Sequence, residues 1–301
     1  MLILDETARQ TPSVTHPTAR VNASLALRLE YDAARRTAVL QASSQEPPLK
    51  VVRAFRLEDG SALLHLHNVS GGLLGGDQLK MTLEIGESTH VQVTTTGATR
   101  VYRSRPDAPP ATQQINVSVG QNACLEYLPD PIIPFAGSRF AQHTRIRLDS
   151  GAGLFWWEVL APGREACGEV FAYDAAEMKT SILALDNPIA IERVRVEPKT
   201  YPVSSPARLG KHRYWATFYI CRVGLETSKW LALEHQLREA VHESSPTADM
   251  LWGLSTLPAH GIVCRCLAVC GRDVLACLNK LWRAAKLSLY GTEAISPRKV
   301  N

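Results

Sequence analysis

The sequence predicts a mainly β fold, an irregular β-helix-like or stacked-sheet body with about two α-helices in its C-terminal third. Three observations carry this expectation. Short alternating or β-branched apolar runs recur from Leu25 to Val223, the period-two signature of strands with one buried face. No helical periodicity interrupts them before residue 226, which argues against βαβ units. Two stripes at helical spacing then follow.

Residues 1–20 form a polar lead rich in Thr, Pro and Ser between Thr11 and Thr18, expected to be disordered, and residues 21–301 are expected to form a single β domain. Leu25, Leu27, Leu29 and Tyr31 alternate with Ala26, Arg28 and Glu30 as the first strand. Val51 to Leu57, Ala62 to His67, Met81-Leu83-Ile85, Val91-Val93, Ile115-Val117-Val119, Thr144-Ile146-Leu148 and Trp215 to Val223 repeat the pattern between Gly, Pro or Asp-Ser turns. From Thr227 or Ser228, either of which can cap a helix, Trp230, Leu233, Leu237 and Val241 recur at helical spacing. Val274, Leu278, Leu281, Trp282, Ala285 and Leu289 make a second, broader stripe closed by Gly291. Both stripes read as core contacts. No repeat has a fixed period, and a closed barrel, two packed sheets and an irregular β-helix all fit.

Composition bounds the function. With 45% hydrophobic and 21% charged residues, the 301-residue chain can bury a sizeable core. Its net charge of +4 is spread over scattered basic residues and short clusters such as Arg35-Arg36 and Arg100, Arg103, Arg105, so no nucleic-acid partner is expected. No run of about 18 apolar residues exists, so no membrane partner is expected either. Asp5 and Glu6 follow the first apolar patch at once, the wrong order for a secretory signal, and seven cysteines fit reduced thiols. A cytoplasmic protein is expected.

The stretch from Asn68 to Asp77 holds four of the nineteen glycines, as Gly71-Gly72 and Gly75-Gly76. Two such pairs describe backbone that turns twice or lies against other backbone. Asp77 either bonds nearby N–H groups or faces a cavity and binds a cation. No phosphate-binding glycine loop, G-x-S-x-G elbow, C-x-x-C pair or H-E-x-x-H occurs. His65-Leu66-His67 would place both imidazoles on one strand face, a chelate lacking its third ligand or a half-exposed face. Cys264, Cys266 and Cys270 share a face if Gly261 to Cys270 is a strand, as soft-metal ligands or as plain core. Glu126, Asp130, Glu158, Glu165 and Glu169 lie in or beside apolar runs, where a carboxylate needs a base or a cation. The two readings are pairing with residues such as Arg139 and Arg164, or a polar passage for a divalent ion. Neither yields a nucleophile–base pair, so no enzyme constellation is present.

Three blocks then carry a resemblance: Ser70 to Asp77; Thr94 to Arg103, with Tyr102 and Arg103; and Leu125 to Phe140, with Pro134, Gly137 and Arg139. Together with Gly163 to Phe171 and the tail Pro297-Arg298-Lys299, they resemble the successive signatures of the UreD (UreH) family of urease accessory proteins over roughly residues 20 to 300. The family often has an aromatic near the end of that tail, where this chain has Val300.

The resemblance implies a β body with helically wound strands and a non-enzymatic chaperone that binds apo-urease. The helical accessory protein UreF would join it and recruit the nickel-carrying GTPase UreG, so that nickel is inserted into urease. No tightly bound cofactor is implied, only transient Ni2+. Weak oxygen and imidazole ligands along an internal channel would conduct nickel where a tight cage would trap it. His67, Asp77, Glu126, Asp130, Glu165 and Glu169 are the candidates for that passage, with Gly71, Gly72, Gly75 and Gly76 shaping its loop. The rival readings are a metal-dependent enzyme on a β scaffold and a passive scaffold without a metal path.

Overall fold

The computed structural model describes residues 20–242 and 249–297. The lead at 1–19 and the tail at 298–301, with Arg298, Lys299 and Val300, lie outside the described residues. The chain runs β1 (Asn22–Asp32), β2 (Thr37–Gln45), β3 (Leu49–Lys50), β4 (Ala54–Arg56), β5 (Ala62–Asn68), β6 (Gln78–Ile85), β7 (His90–Thr95), β8 (Thr99–Val101) and β9 (Ala111–Val119). It continues with β10 (Cys124–Tyr127), β11 (Ile132–Pro134), β12 (Arg139–Leu148), β13 (Gly153–Leu160), β14 (Ala175–Ala184), β15 (Asn187–Val196) and β16 (Tyr214–Arg222). Helix α1 (Thr227–His242), β17 (Met250–Thr256), β18 (Gly261–Ala268) and helix α2 (Gly271–Tyr290) complete it.

Two open sheets result, one in the order β15-β14-β12-β9-β6-β1-β2 and one built on β17-β18-β16-β13-β10-β7-β5-β3. From β5 to β14 the long strands alternate between the two sheets, so most neighbours within a sheet are parallel. A parallel pair needs a crossover connection, usually a helix. Here the strand in the opposite sheet supplies it, which is why strands recur without helices between them. The starts of β6, β9, β12 and β14, at Gln78, Ala111, Arg139 and Ala175, are unevenly spaced, so the winding leaves no fixed period in the sequence.

The parallel register stacks like on like. Leu27, Leu83, Val117, Ile146 and Ile182 form one cross-strand ladder, and Leu29, Ile85, Val119, Leu148 and Ala184 the next. These ladders face Leu64, Val93, Leu125, Leu154 and Trp156 of the second sheet in the main core. A second core fills the layer between the other face of that sheet and the helices, from Phe155, Trp157 and Phe218 to Trp230, Leu237, Leu278 and Trp282. The predicted helical stripes are therefore core contacts, and α2 ends on left-handed Gly291, whose N–H donates to Leu287 O. The run Val51 to Leu57 is not one strand. Gln45 captures both backbone groups of Val51, at 2.8 and 3.1 Å, and so breaks the ladder between β3 and β4. Strand β18 ends at Ala268, so Cys270 leaves the face shared by Cys264 and Cys266 and sits at the start of α2.

Candidate functional site

The glycine loop joins β5 to β6 at one end of the winding. Asp77 is buried and accepts from Val21 N at 3.1 Å and Leu74 N at 2.8 Å, closing the loop on itself. A Cβ on Gly72 would stand 2.6 Å from Arg100 O and 2.7 Å from the Tyr102 ring, so this backbone must lie against β8. The other motif blocks stack on it. Tyr102 meets Phe135 edge-on at 5.1 Å, and Arg139 donates to Arg105 O at 2.6 Å. Arg103 donates to Ala136 O, Pro134 pairs with Val101, and left-handed Gly137 donates to Ala172 O. Glu169 accepts from Ala136 N at 3.1 Å and forms a two-pronged pair with Arg164, which lies over the Phe135 ring. Gly75 abuts Ser104 and Gly76 abuts Arg20. The blocks separated in sequence thus form one continuous structure.

Beneath the loop lies a cavity of about 210 Å³, lined by His67, Gly72, Thr95, Arg100, Gln113 and Tyr127 among others. Polar side chains lead inward from it between the two sheets. Gln113 and Gln142 are cross-strand neighbours, and Gln142 Nε2 donates to Glu158 Oε1 at 2.7 Å. Thr180 donates to Glu158 Oε2 at 3.1 Å and Thr144 to Oε1 at 3.4 Å. Tyr127 stacks on Trp156, one strand position pair from Glu158 on the same face of β13, with centroids 3.9 Å apart. On the far side, Tyr219 donates to Glu192, which pairs with half-exposed Arg265 at 3.0 Å.

Glu158 is only 4% exposed and forms no ion pair among the described residues. Burial pushes its carboxyl up to about 7, partly offset by the Trp156 indole N–H and by the hydroxyls of Thr180 and Thr144. It therefore sits near half ionisation at neutral pH.

Glu126 faces the opposite way, into the helix layer. Lys286 donates to its Oε1 at 2.7 Å and Trp282 Nε1 to its Oε2 at 2.6 Å, while Asp59 stands 3.7 Å from Lys286. Burial alone would lower the Lys286 ammonium, but the neighbouring Glu126 carboxylate outweighs it and the pKa is raised.

The six sequence-predicted carboxylate and imidazole candidates are not gathered at one point. His67 lines the loop cavity, and Asp130 bonds Thr95 of the same cavity wall at 3.0 Å. Asp77 closes the loop, Glu169 holds the motif stack, and Glu126 is on the far face of the second sheet. Glu165, in a 3-10 turn, accepts from Arg213 at 3.0 Å and Tyr214 at 2.5 Å. Among the described residues no group of three or more His, Cys, Asp and Glu is placed to hold a metal ion. Among the same residues no helix is long and apolar enough to cross a membrane. Sequence reasoning missed Gln142, Thr144 and Thr180. The available signal was their parity, which puts them on the inward face of β12 and β14 with Ile146 and Ile182.

Comparison with known proteins matches residues 22–301 to the model of the UreD urease accessory protein family. The chain is 46% identical to a urease accessory protein UreD of Herpetosiphon aurantiacus over 274 residues, 91% of this chain and 95% of that one. It is 33% identical to that of Deinococcus radiodurans, covering 91% and 94%, and 30% identical to that of Cenarchaeum symbiosum, covering 87% and 90%. On this match across nearly its whole length, the chain belongs to the UreD family of urease accessory proteins.

Proposed function

We propose that this chain serves urease maturation as a non-catalytic chaperone, binding apo-urease and UreF, with UreG joining through UreF, and passing nickel toward urease through its interior. Family membership supports the maturation role. The observation that carries the passage is the polar vein between the sheets, which runs from the glycine-loop cavity through Gln113 and Gln142 to Glu158 and on toward Glu192. Apolar ladders fill the rest of that layer, so polar side chains there cost stability unless they serve something. Nickel is cargo. Its arrival at protonated Glu158 releases one proton and leaves a carboxylate–cation contact; its departure takes a proton back. Oxygen donors of this kind bind a borderline cation weakly enough to let it go. His67 and Asp130 stand at the loop-cavity entrance, and Asp77 and Glu169 keep that entrance in shape. Glu165 and Glu126 act by holding neighbouring segments.

The test is urease activation in cells that co-express the chain, apo-urease, UreF and UreG, with nickel per urease measured on the purified enzyme. Glu158→Gln keeps the shape and the hydrogen bonds but cannot carry charge. Nickel content and activity should fall by roughly tenfold while the complex still co-purifies. Unchanged nickel content would make the chain a passive scaffold, and metal-dependent turnover by the chain alone would return it to the enzymes.

A further inference from the structure

Three of the seven cysteines, Cys264, Cys266 and Cys277, meet where α2 packs on β18, and nothing in the maturation role uses them. Strand β18 presents Cys264, Cys266 and Ala268 on one face, in a single buried cluster with Val274, Cys277, Leu278 and Leu281 of α2. Only Val269 and Cys270 separate the two elements, so the helix folds straight back over its own strand. It starts against the Tyr214 ring, at the register partner of Ala268. Its last residue, Tyr290, lies beneath Arg222, just past the Cys221 and Gly261 pair at the other end of β18. Cys266 stands about 7 Å back from the end of the strand and Cys277 about 9 Å into the helix, which brings the two to the same height. Their side chains are hydrogen-bonded, the Cys266 thiol donating to Cys277 Sγ.

We infer that Cys266 and Cys277 are a reversible disulfide site joining β18 to α2, in which Cys277 attacks a peroxide and Cys266 resolves the product. Two buried thiols could serve a core as separate small apolar groups. What distinguishes this pair is its asymmetry. Donation from Cys266 holds the Cys277 thiol below the ordinary range against the effect of burial, and the Lys280 ammonium, one turn along α2, adds to it. The same bond, with burial, pushes the Cys266 thiol up. Cys277 is also the more accessible, 6% exposed against 1%. Its thiolate displaces hydroxide from hydrogen peroxide and becomes a sulfenic acid. The Cys266 sulfur then attacks Cys277 Sγ, the S–S bond forms, and the sulfenic oxygen leaves as water with the Cys266 proton. Two electrons pass from the two sulfurs to the peroxide. Burial pushes the Cys264 thiol up, so it stays protonated beside the pair. Among the described residues no three such groups are placed to hold a metal ion, so Cys264 does not turn the pair into a thiolate metal site.

The test uses the full chain carrying Cys167→Ser and Cys270→Ser, which remove an exposed and a half-buried competing thiol and leave a good cap before α2. It is treated at neutral pH with a roughly tenfold molar excess of hydrogen peroxide, alkylated and digested with trypsin. The peptide from Cys266 to Arg272 should be found joined to that from Asp273 to Lys280, two hydrogens lighter than their sum, and dithiothreitol should separate them. With Cys266→Ala added, dimedone should label Cys277. With Cys277→Ala added, Cys266 should remain a free thiol at the same dose. The peptide map of the parent chain decides the site even if a core variant fails to fold. Full alkylation of both thiols after oxidation, a link from Cys277 to Cys264 instead, or Cys277 driven to sulfinic acid beside an untouched Cys266 would each overturn the inference. Dimedone on Cys266 in the Cys277→Ala chain would overturn the assigned order of attack. None of these outcomes bears on the maturation role, which the inference does not use.

Discussion

Two glutamates occupy opposite faces of the same sheet, and their surroundings differ. Glu126 on β10 points into the helix layer and finds Lys286 and Trp282, so its charge is matched inside the fold. Glu158 on β13 points into the layer between the sheets and finds the Gln142 amide, the Thr180 and Thr144 hydroxyls and the Trp156 indole, with no ion pair among the described residues. Both are nearly sealed from water. A matched buried charge is committed to structure, because removing its partner is costly and nothing else can use it. An unmatched one is held at a cost that folding alone does not explain. The difference separates a carboxylate committed to holding the molecule together from one that the described fold leaves without a counter-charge.

The largest expected effect tests the matched side. Lys286→Met leaves the buried Glu126 carboxylate without its ammonium partner under α2, and should destabilise the protein by about 3–5 kcal/mol. Adding Glu126→Gln should recover most of that loss, since a neutral pair needs no counter-charge. Denaturant midpoints of the two single variants and the double variant give the coupling directly. If the double variant is no more stable than Lys286→Met, the ion pair is not what fixes α2 to the sheet.

The next effect has the opposite sign. The Glu158 pKa of about 7 lies above the ordinary range near 4.3, so the folded state holds this proton more tightly than the unfolded chain. Wild-type stability should therefore fall as pH rises from about 4.3 to about 7, and the loss is complete above that. Glu158→Gln removes this slope. The variant should gain on wild type by on the order of 2 kcal/mol between pH 5 and pH 8, while urease activation falls. A gain in stability alongside a loss of function would mark Glu158 as a site kept for use. Parallel pH profiles for the two proteins would mean that the carboxyl is not burdened by burial.

How much of this was legible in the sequence follows the same division. The strands of the winding announced themselves because each has one apolar face, and α2 because its stripe and Gly291 are local signals. The glycine loop was legible as a tight backbone passage, and Glu126 as a buried carboxylate in need of a partner. That the partner is Lys286, 160 residues away, was not, because a lysine on a helix reads as solvated until the helix is docked. The vein was hidden for a different reason. Gln142 and Thr144 are ordinary surface residues by type, and only the parity of β12 turns them inward.

The smallest expected effect probes how finely the unmatched carboxylate is held. Thr180 donates to Glu158 Oε2 at 3.1 Å, and valine has nearly the same shape but no hydroxyl. Thr180→Val therefore removes one donor without opening a cavity. The ionised form of Glu158 uses that donor most, so the substitution disfavours ionisation and moves the pKa further up. At pH 8, where wild-type Glu158 is ionised, the variant should lose about 1 kcal/mol. At pH 5, where the carboxyl is protonated, the loss should be smaller, because a neutral acid depends less on the bond. Chemical denaturation at the two pH values measures the difference. A loss of equal size at both would assign Thr180 to packing between the sheets and remove it from the vein.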